Sequence, residues 1–443
     1  MRKTPKEINE ICKKFHTNIL WSWSRYNIFK TDPYSYFLKY IKGEKEDRRD
    51  SIYCVSGGYC HDILEKYYNG EIQQSDMINE YEDSLFTMNL AEYKYDRSDE
   101  DKNSAIAEKY ESCIKHFFRN HIKPDNLKML LEMFCIIKVT DDIIFQGYID
   151  NCGMYKDENG EKRIVITDYK TSTIYKGEKL EKESGQLYLY AEGIRQRTNL
   201  PLDHISIRYL FLKYVNVKCL QANGTWKERQ IERNQIGSKL YTTAKMWLGK
   251  LGYGEGEYIK DNYLDEMLML NSIDNLPDDV KNKMIISDCY VYLPLTQENI
   301  DNLKSDIIGT VNEISFKTKE YKEANDDHIF WSDINEKNEY YHAILSGYSR
   351  ALHKPYNEYL ENKEMFQNKD DEDGLTQELK DLGLKVITLS GGEPTTRSDW
   401  HIIAKRLVDN GIITSIITNG WLIDENFIHN AITSGIRSVC LSI

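Results

Sequence analysis

A chain of 443 residues is long enough for about three average domains, or for one large core with insertions. Its hydrophobic content of 40% with 12% aromatic residues is typical of a globular protein and excludes a fibrous or wholly disordered one. The formal net charge of −13 argues against a protein that coats nucleic acid nonspecifically, although it is compatible with an enzyme that has a local basic groove.

The nine cysteines are scattered singly, and the absence of a CxxC pair excludes the strongest zinc and iron–sulfur spacings. Residues 1–15 are charged and lack an apolar signal segment. No apolar run approaches the roughly 20 residues that are needed to cross a bilayer. We therefore expect a cytoplasmic protein with free thiols and no membrane partner.

The N-terminal part of the chain is predicted to be helical. Helical patterns cover residues 1–40, and the glycine pair at 57–58 is expected to open a helix that carries His61 and Glu65. Long amphipathic patterns in residues 75–131 then predict an all-helical insertion.

The pattern changes at residue 133, where short alternating segments and turns replace the amphipathic ones. These segments predict strands at 133–138, 143–149 and 163–169, a helix at 181–197 and a strand at 205–214. Residues 235–354 are again charged and predicted to be mainly helical. The order indicates a sheet domain interrupted by large helical insertions.

A second segment follows an acidic stretch. We predict a first domain of residues 1–360, an acidic linker at 361–383 and a small segment at 384–443. Strands and helices alternate in the small segment, which predicts a parallel sheet.

Two carboxylates lie at predicted strand ends: Asp150 closes Gly-Tyr-Ile-Asp, and Asp168 is followed two residues later by Lys170. Neighbouring antiparallel strands can bring such carboxylates close enough to share a divalent cation, and strand alternation places Lys170 on the same face as Asp168. A cation that polarises a phosphoryl oxygen beside a lysine suits phosphodiester hydrolysis. A D-x-K triplet alone is weak evidence for a nuclease site, because such common residues also occur together by chance as surface charges at a strand end.

Other residues make the pattern more specific, because four motifs occur in a fixed order. They are an H-x-x-x-E helix, a G-x-x-D strand, a D-x-K strand and a Q-x-x-x-Y helix, present here as His61/Glu65, Gly147/Asp150, Asp168/Lys170 and Gln186/Tyr190. With this set, residues from about 15 to 355 resemble the RecB-like branch of the PD-(D/E)XK nucleases. The resemblance implies an α/β fold with a restriction-endonuclease-like mixed sheet.

The resemblance also implies a metal centre. His61, Asp150 and Asp168 would bind Mg²⁺ or Mn²⁺, with the backbone carbonyl of Tyr169 as a further ligand. Two alternatives stay open. Outside this motif set, His61 would be interpreted as a hydrogen-bonded histidine of the core. Glu65 is expected to have a supporting structural role, although it could instead face the metal.

The catalytic residues implied by the resemblance are Lys170, Asp150, Asp168, Gln186 and Tyr190. Lys170 would act on the reacting phosphate. Gln186 and Tyr190 lie one helical turn apart and would steady Lys170 or the nucleic-acid strand. Alternatively, Gln186 fills a polar gap and Tyr190 belongs to the core.

The chain departs from many of these relatives at the positions of their iron–sulfur cysteines. Asp32 stands before Pro33 where a cysteine is usual, and residues 340–349 contain no cysteine. We therefore expect no iron–sulfur cluster, and packing must close that end of the domain instead.

The C-terminal segment contains Ser-Gly-Gly-Glu-Pro at 390–394 after a strand and Thr-Asn-Gly at 418–420 after the next strand. It resembles the early barrel of radical S-adenosylmethionine enzymes. The C-x-x-x-C-x-x-C loop of those enzymes is missing, since no cysteine lies between Cys289 and Cys440. We therefore expect an incomplete βα segment, a partial barrel without radical chemistry.

Together these observations predict a metal-dependent DNA nuclease, exonuclease-like, in recombination, repair or phage replication. Its substrate would be DNA that is single-stranded or has free ends, and a helicase or recombination protein is a possible partner. Two alternatives are a non-catalytic nucleic-acid-binding protein on a nuclease fold and an S-adenosylmethionine-binding protein that uses residues 384–443. Chelation of the metal distinguishes a nuclease from a protein that only binds nucleic acid. Calorimetry with S-adenosylmethionine tests whether residues 384–443 bind that ligand.

Overall fold

The computed structural model describes residues 3–331, 346–348, 379, 384–390, 393–397 and 399–442. The chain divides into two compact units, Met1–Ser349 and Arg350–Ile443, and each is described by itself. The acidic linker predicted at 361–383 lies outside the described residues except for Leu379. The domain boundaries drawn from the sequence therefore stay predictions.

The first unit combines one sheet with many helices. Its α-helices are α1 Pro5–Lys14, α2 Trp23–Thr31, α3 Pro33–Tyr36, α4 Ile52–Asn69, α5 Met77–Leu90, α6 Glu100–Asn120, α7 Glu178–Thr198, α8 Ile236–Lys250, α9 Gly256–Ile259, α10 Asp265–Leu270, α11 Asp278–Lys281 and α12 Gln297–Ala324. Its strands are β1 Leu20–Ser22, β2 Lys128–Lys138, β3 Ile144–Lys156, β4 Lys162–Lys170, β5 Ile205–Leu220, β6 Trp226–Glu232 and β7 Met284–Leu293.

The strands form a mixed sheet of seven members. Strands β2, β3 and β4 are antiparallel neighbours, β4 and β5 are parallel, and β7 pairs antiparallel with β5. The short strand β1 pairs with the start of β3, and β6 pairs with the end of β5. Because parallel neighbours need a crossover connection, α7 joins β4 to β5 and packs on the sheet. The mixed α/β fold expected from the sequence is confirmed.

Helical layers cover the sheet. Gly193 of α7 faces β2 so closely that a Cβ atom there would lie 2.5 Å from the sulfur of Cys135 and 2.6 Å from Cγ1 of Ile137. A second apolar cluster joins α4, α5 and α6 to Tyr169 of β4 and Leu210 of β5. A third cluster packs α8 to α11 on the far ends of β5 and β7.

Several boundaries differ from the sequence-based expectations. The predicted helix at 181–197 and strand at 163–169 are confirmed by α7 and β4. The glycine pair at 57–58 does not open a helix, because α4 already begins at Ile52, where the hydroxyl of Ser51 accepts a hydrogen bond from the backbone N–H of Cys54.

The other corrections concern strands inside regions that were predicted to be helical. The 75–131 block ends in β2 rather than in a helix, and β7 lies within the 235–354 region. The short β1 was also missed. Strands β1 and β7 form by pairing with residues distant in the sequence, which a local pattern does not reveal. Strand β2 forms a hairpin with β3, and its first half extends before the strand predicted at 133–138.

Residues near the N-terminus meet residues 346–348 through polar contacts. Asp32, which is fully buried, accepts hydrogen bonds from the backbone N–H of Tyr34 and from the hydroxyl of Ser35. The Ser35 hydroxyl lies 3.0 Å from that of Ser346. Hydrogen bonds between side-chain oxygen atoms therefore join residues 32–35 to Ser346 at the end of the domain that packing was expected to close. The rest of the predicted cysteine-free segment, residues 340–345 and 349, lies outside the described residues.

The second unit contains a three-stranded parallel sheet in the order β10, β9, β8. Its elements are β8 Val386–Leu389, α13 Trp400–Asp409, β9 Ile413–Thr418, α14 Glu425–Thr433 and β10 Ser438–Leu441. A small core of Trp400, Ile416, Phe427 and Ala431 holds the helices to the sheet. The alternating strands and helices and the parallel pairing predicted for this segment are confirmed.

Among the helices that the structure describes, none has the combination of length and apolar character that crossing a bilayer requires.

A buried charge network ties the first unit together and should make its stability depend on pH. Asp288 of β7 contacts His121 at 2.6 Å and is ion-paired with Arg233, which is only 1% exposed. Burial favours the neutral carboxyl, but His121 and Arg233 outweigh it and lower the pKa of Asp288 to about 2. A carboxyl with a lowered folded-state pKa stabilises above its unfolded pKa, and that stabilisation is lost as the pH falls through the folded value.

We therefore expect the unfolding free energy of the wild type to fall by about 2 kcal/mol more than that of Asp288→Asn between pH 5 and pH 2. Urea denaturation at several pH values measures this difference. Parallel pH profiles for the two proteins would contradict the role assigned to the network.

Candidate active site

The register of β3 against β4 brings the two predicted aspartates together. The paired register ends with Asn151 opposite Thr167, so Asp150 and Asp168 are the next residues of the two strands. The backbone N–H of Tyr169, next to Asp168, donates to the Asp150 carboxylate and holds it at this end of the pair. Asp168 is 5% exposed, and the side chain of Asp150 is 14% exposed. The two carboxyl groups thus share a buried environment.

His61 reaches the same place from α4. Its Nε2 atom lies 3.2 Å from the backbone carbonyl oxygen of Tyr169, and its Nδ1 atom lies 3.6 Å from Oδ2 of Asp150. The imidazole also packs edge-on against the Tyr169 ring, with centroids 5.5 Å apart. The structure therefore gathers His61, Asp150 and the Tyr169 carbonyl, three of the four groups that the sequence assigned to a metal.

The electrostatics of Asp150 indicate a site with excess negative charge. Its Oδ2 atom accepts a hydrogen bond of 2.9 Å from the backbone N–H of Tyr169. Burial and the neighbouring carboxylate of Asp168 nevertheless raise the pKa of Asp150 to about 7, against the opposing effects of His61 and Lys170. A cation bound between these groups would favour the ionised carboxylates.

Lys170 pairs with Asp168 within this environment. Its Nζ atom lies 2.6 Å from Oδ2 of Asp168 and 5.7 Å from the centroid of the Tyr209 ring. Burial by itself would lower the pKa of Lys170, but the carboxylate of Asp168 raises it above the usual value. The ammonium is therefore charged at neutral pH and fixed beside the two aspartates.

Gln186 and Tyr190 of α7 lie together as predicted, one turn apart on the same helix. Gln186 donates a hydrogen bond of 3.0 Å to the Tyr190 hydroxyl. The Tyr190 ring packs against Gly147, where an added Cβ atom would lie 2.5 Å from its Cε1 atom. The glycine of the G-x-x-D motif thus makes room for the tyrosine of the Q-x-x-x-Y motif.

Sequence reasoning missed Glu132 of β2. The pairs Leu131 with Asn151 and Met133 with Ile149 flank it, so Glu132 lies opposite Asp150. One ligand atom each from His61, Glu132 and Asp150 lie within 4.8 Å of one another. A signal was present in the sequence, because Glu132 interrupts an otherwise apolar run from Met129 to Ile137.

A cleft of about 630 Å³ opens onto these groups. His61, Glu132, Tyr169 and Lys170 line it, as does Glu65, which lies one turn from His61 on α4. Gly57 and Gly58 also line it from within α4, where glycines leave the helix face open instead of starting the helix.

The groups present fit a divalent cation. An imidazole nitrogen, carboxylate oxygens and a backbone carbonyl suit Mg²⁺ or Mn²⁺, which favour oxygen donors.

In the second unit, Glu393 connects two strand ends. Its carboxylate accepts hydrogen bonds of 2.6 Å from the Thr418 hydroxyl and 2.6 Å from the backbone N–H of Asn419, and one of 3.2 Å from the backbone N–H of Thr395. The neighbouring glycines at 391–392 lie outside the described residues. Glu393 thus serves the internal structure of this unit.

Comparisons with known proteins address both the whole chain and short parts of it. Over 68 residues the chain is 35% identical to the PqqA peptide cyclase of Granulibacter bethesdensis, a match that covers 15% of this chain and 18% of that protein. The chain therefore spans less than a fifth of that relative, and the similarity says little about the activity here.

The broader match is to a family. A model of the PD-(D/E)XK nuclease superfamily matches residues 20–321, which is more than half of the chain. This range contains the sheet of the first unit, α4, α7 and every residue of the site described above. The chain belongs to the PD-(D/E)XK nuclease superfamily.

Proposed function

We propose that this protein is a metal-dependent DNA nuclease of the RecB-like branch that hydrolyses phosphodiester bonds. The observation that carries the proposal is the pair of neighbouring aspartates, with His61 3.6 Å from the Asp150 carboxylate and the Lys170 ammonium 2.6 Å from that of Asp168. Superfamily membership supports phosphodiester hydrolysis as the reaction class, and the intact set of charged groups supports catalysis over binding alone.

In this proposal His61, Asp150, Asp168 and the Tyr169 carbonyl hold Mg²⁺ or Mn²⁺. When bound, such an ion polarises a phosphoryl oxygen and lowers the pKa of a water molecule. Lys170 is fixed by Asp168, so its ammonium stabilises negative charge that develops on the phosphate without rearranging. Through its contact with Gly147, Tyr190 supports the strand that presents Asp150.

The proposed substrate is DNA that is single-stranded or has a free end, cut in an exonuclease-like manner. Two tyrosines that line the cleft support this choice: Tyr53 is 43% exposed and Tyr148 is half-buried, and aromatic rings stack on unpaired bases. The overall charge of −13 also disfavours a long duplex footprint. The cellular roles that fit are recombination, repair or phage replication in the cytoplasm, with a helicase or recombination protein as a partner.

We expect Lys170→Ala and Asp168→Asn each to lower the cleavage rate at least about a hundredfold, because each removes charge from the reacting centre. The matched control is Lys138→Ala, which removes a lysine with a side chain that is 52% exposed on the same sheet. Thermal melting of all three variants checks the fold. Full activity in folded Lys170→Ala would remove this residue from the mechanism.

Chelation is expected to abolish cleavage reversibly. End-labelled single- and double-stranded DNA, incubated with EDTA and then with excess Mg²⁺ or Mn²⁺, measures both the metal requirement and the fragment lengths. Short products that appear early would indicate an exonuclease, whereas internal fragments would indicate an endonuclease. Binding of DNA without cleavage under every metal condition would favour the non-catalytic alternative.

The second unit gives less support to S-adenosylmethionine binding, because the Glu393 oxygens already accept several internal hydrogen bonds. We expect titration calorimetry of the full chain with S-adenosylmethionine to show no binding heat. A saturable heat that Glu393→Gln abolishes would instead establish the resemblance to radical S-adenosylmethionine enzymes as functional.

A further inference from the structure

The backbone of β2 is unusual at Glu132, which has a φ of 44°. Residues other than glycine rarely adopt this left-handed region. Among the described residues, the other non-glycine residues with positive φ follow the ends of helices, where this conformation is common: His16, Glu92, Asn199, Asn271 and Asn325. Glu132 is the member of this group that lies within a strand, so its conformation needs another explanation.

The side chains on either side of Glu132 show what this conformation achieves. Met129 and Leu131 pack on the cluster formed with α4, α5 and α6, whereas Cys135 and Ile137 lie against Gly193 of α7. In a regular strand these odd-numbered residues would share one face. The strand therefore turns over at Glu132. The turn directs the carboxylate into the cleft, beside His61 and Asp150, instead of into either apolar layer.

The charges of the site agree with this placement. Glu132, Asp150 and Asp168 bring three carboxylates to adjacent strands, and Lys170 supplies one ammonium. With these three carboxylates ionised and the imidazole neutral, the three carboxylates and the ammonium together carry two negative charges, which a divalent cation neutralises. Without Glu132 only one negative charge would remain.

We propose that Glu132 is a direct ligand of the divalent cation, in addition to His61, Asp150 and Asp168. This inference rests on the proposed function, because it assigns a further residue to the same metal centre. Asp168 is engaged by Lys170 in this structure, and Glu132 is the carboxylate that completes the group with His61 and Asp150. A strained residue held at a binding site is a known way to place a functional side chain.

The test is Mn²⁺ binding to the full chain without DNA, measured from the electron paramagnetic resonance signal of free Mn²⁺. We expect Glu132→Gln and Asp150→Asn each to raise the Kd at least about tenfold, because each removes a charged ligand. The matched control is Asp62→Asn, which removes the same charge from the same cleft but outside the ligand group. It should change the Kd less than about threefold.

Glu132→Gly provides a second measurement that separates binding from folding. Glycine adopts positive φ without strain, so the metal-free variant should melt at or above the wild-type temperature. It should also lose most of the rise in melting temperature that Mn²⁺ gives the wild type.

Three outcomes decide between the proposals. Tight Mn²⁺ binding by Glu132→Gln, together with weak binding by Asp150→Asn, overturns the role of Glu132 and leaves the proposed function standing. Equal losses in Glu132→Gln and Asp62→Asn also overturn it, because the effect is then that of general negative charge in the cleft. If the wild type binds no Mn²⁺ at millimolar concentration, the metal centre of the proposed function fails as well.

Discussion

The register between β3 and β4 is the constraint on which the site depends. Because side chains alternate along a strand, a slip of one residue would turn Asp150 or Asp168 to the other face of the sheet and separate them. The register is held by apolar residues such as Cys152 and Ile166, which are paired across the two strands and buried. The core thus fixes the distance between two carboxylates that would otherwise repel each other.

Each remaining part of the site follows from this arrangement. The parallel pair β4 and β5 requires a crossover, and the crossover helix α7 carries Gln186 and Tyr190 to the sheet beside Gly147. From the other helical layer, α4 presents His61 next to the carbonyl of Tyr169. The Lys170 ammonium offsets part of the free-energy cost of burying these carboxylates. In the proposed function, the bound divalent cation offsets the rest.

The two ends of the first unit show how polar groups hold distant segments together. Asp32 and Ser35 reach Ser346 through buried hydrogen bonds, while Arg233 and Asp288 connect the sheet to the helical layer. These contacts join residues far apart in the sequence, and removing one partner leaves the other buried without compensation. The second unit has its own small core and its own sheet.

The sequence by itself determined the superfamily and the order of the motifs, and these motifs predicted His61, Asp150, Asp168 and Lys170 as site residues. It also gave α7 and β4 correctly. Only the tertiary structure decided the positions of β1 and β7, which pair with strands distant in the sequence, and the first half of β2 together with the place of Glu132. A left-handed residue that turns a strand over leaves no periodic signal, so its carboxylate was found only once β2 lay beside β3.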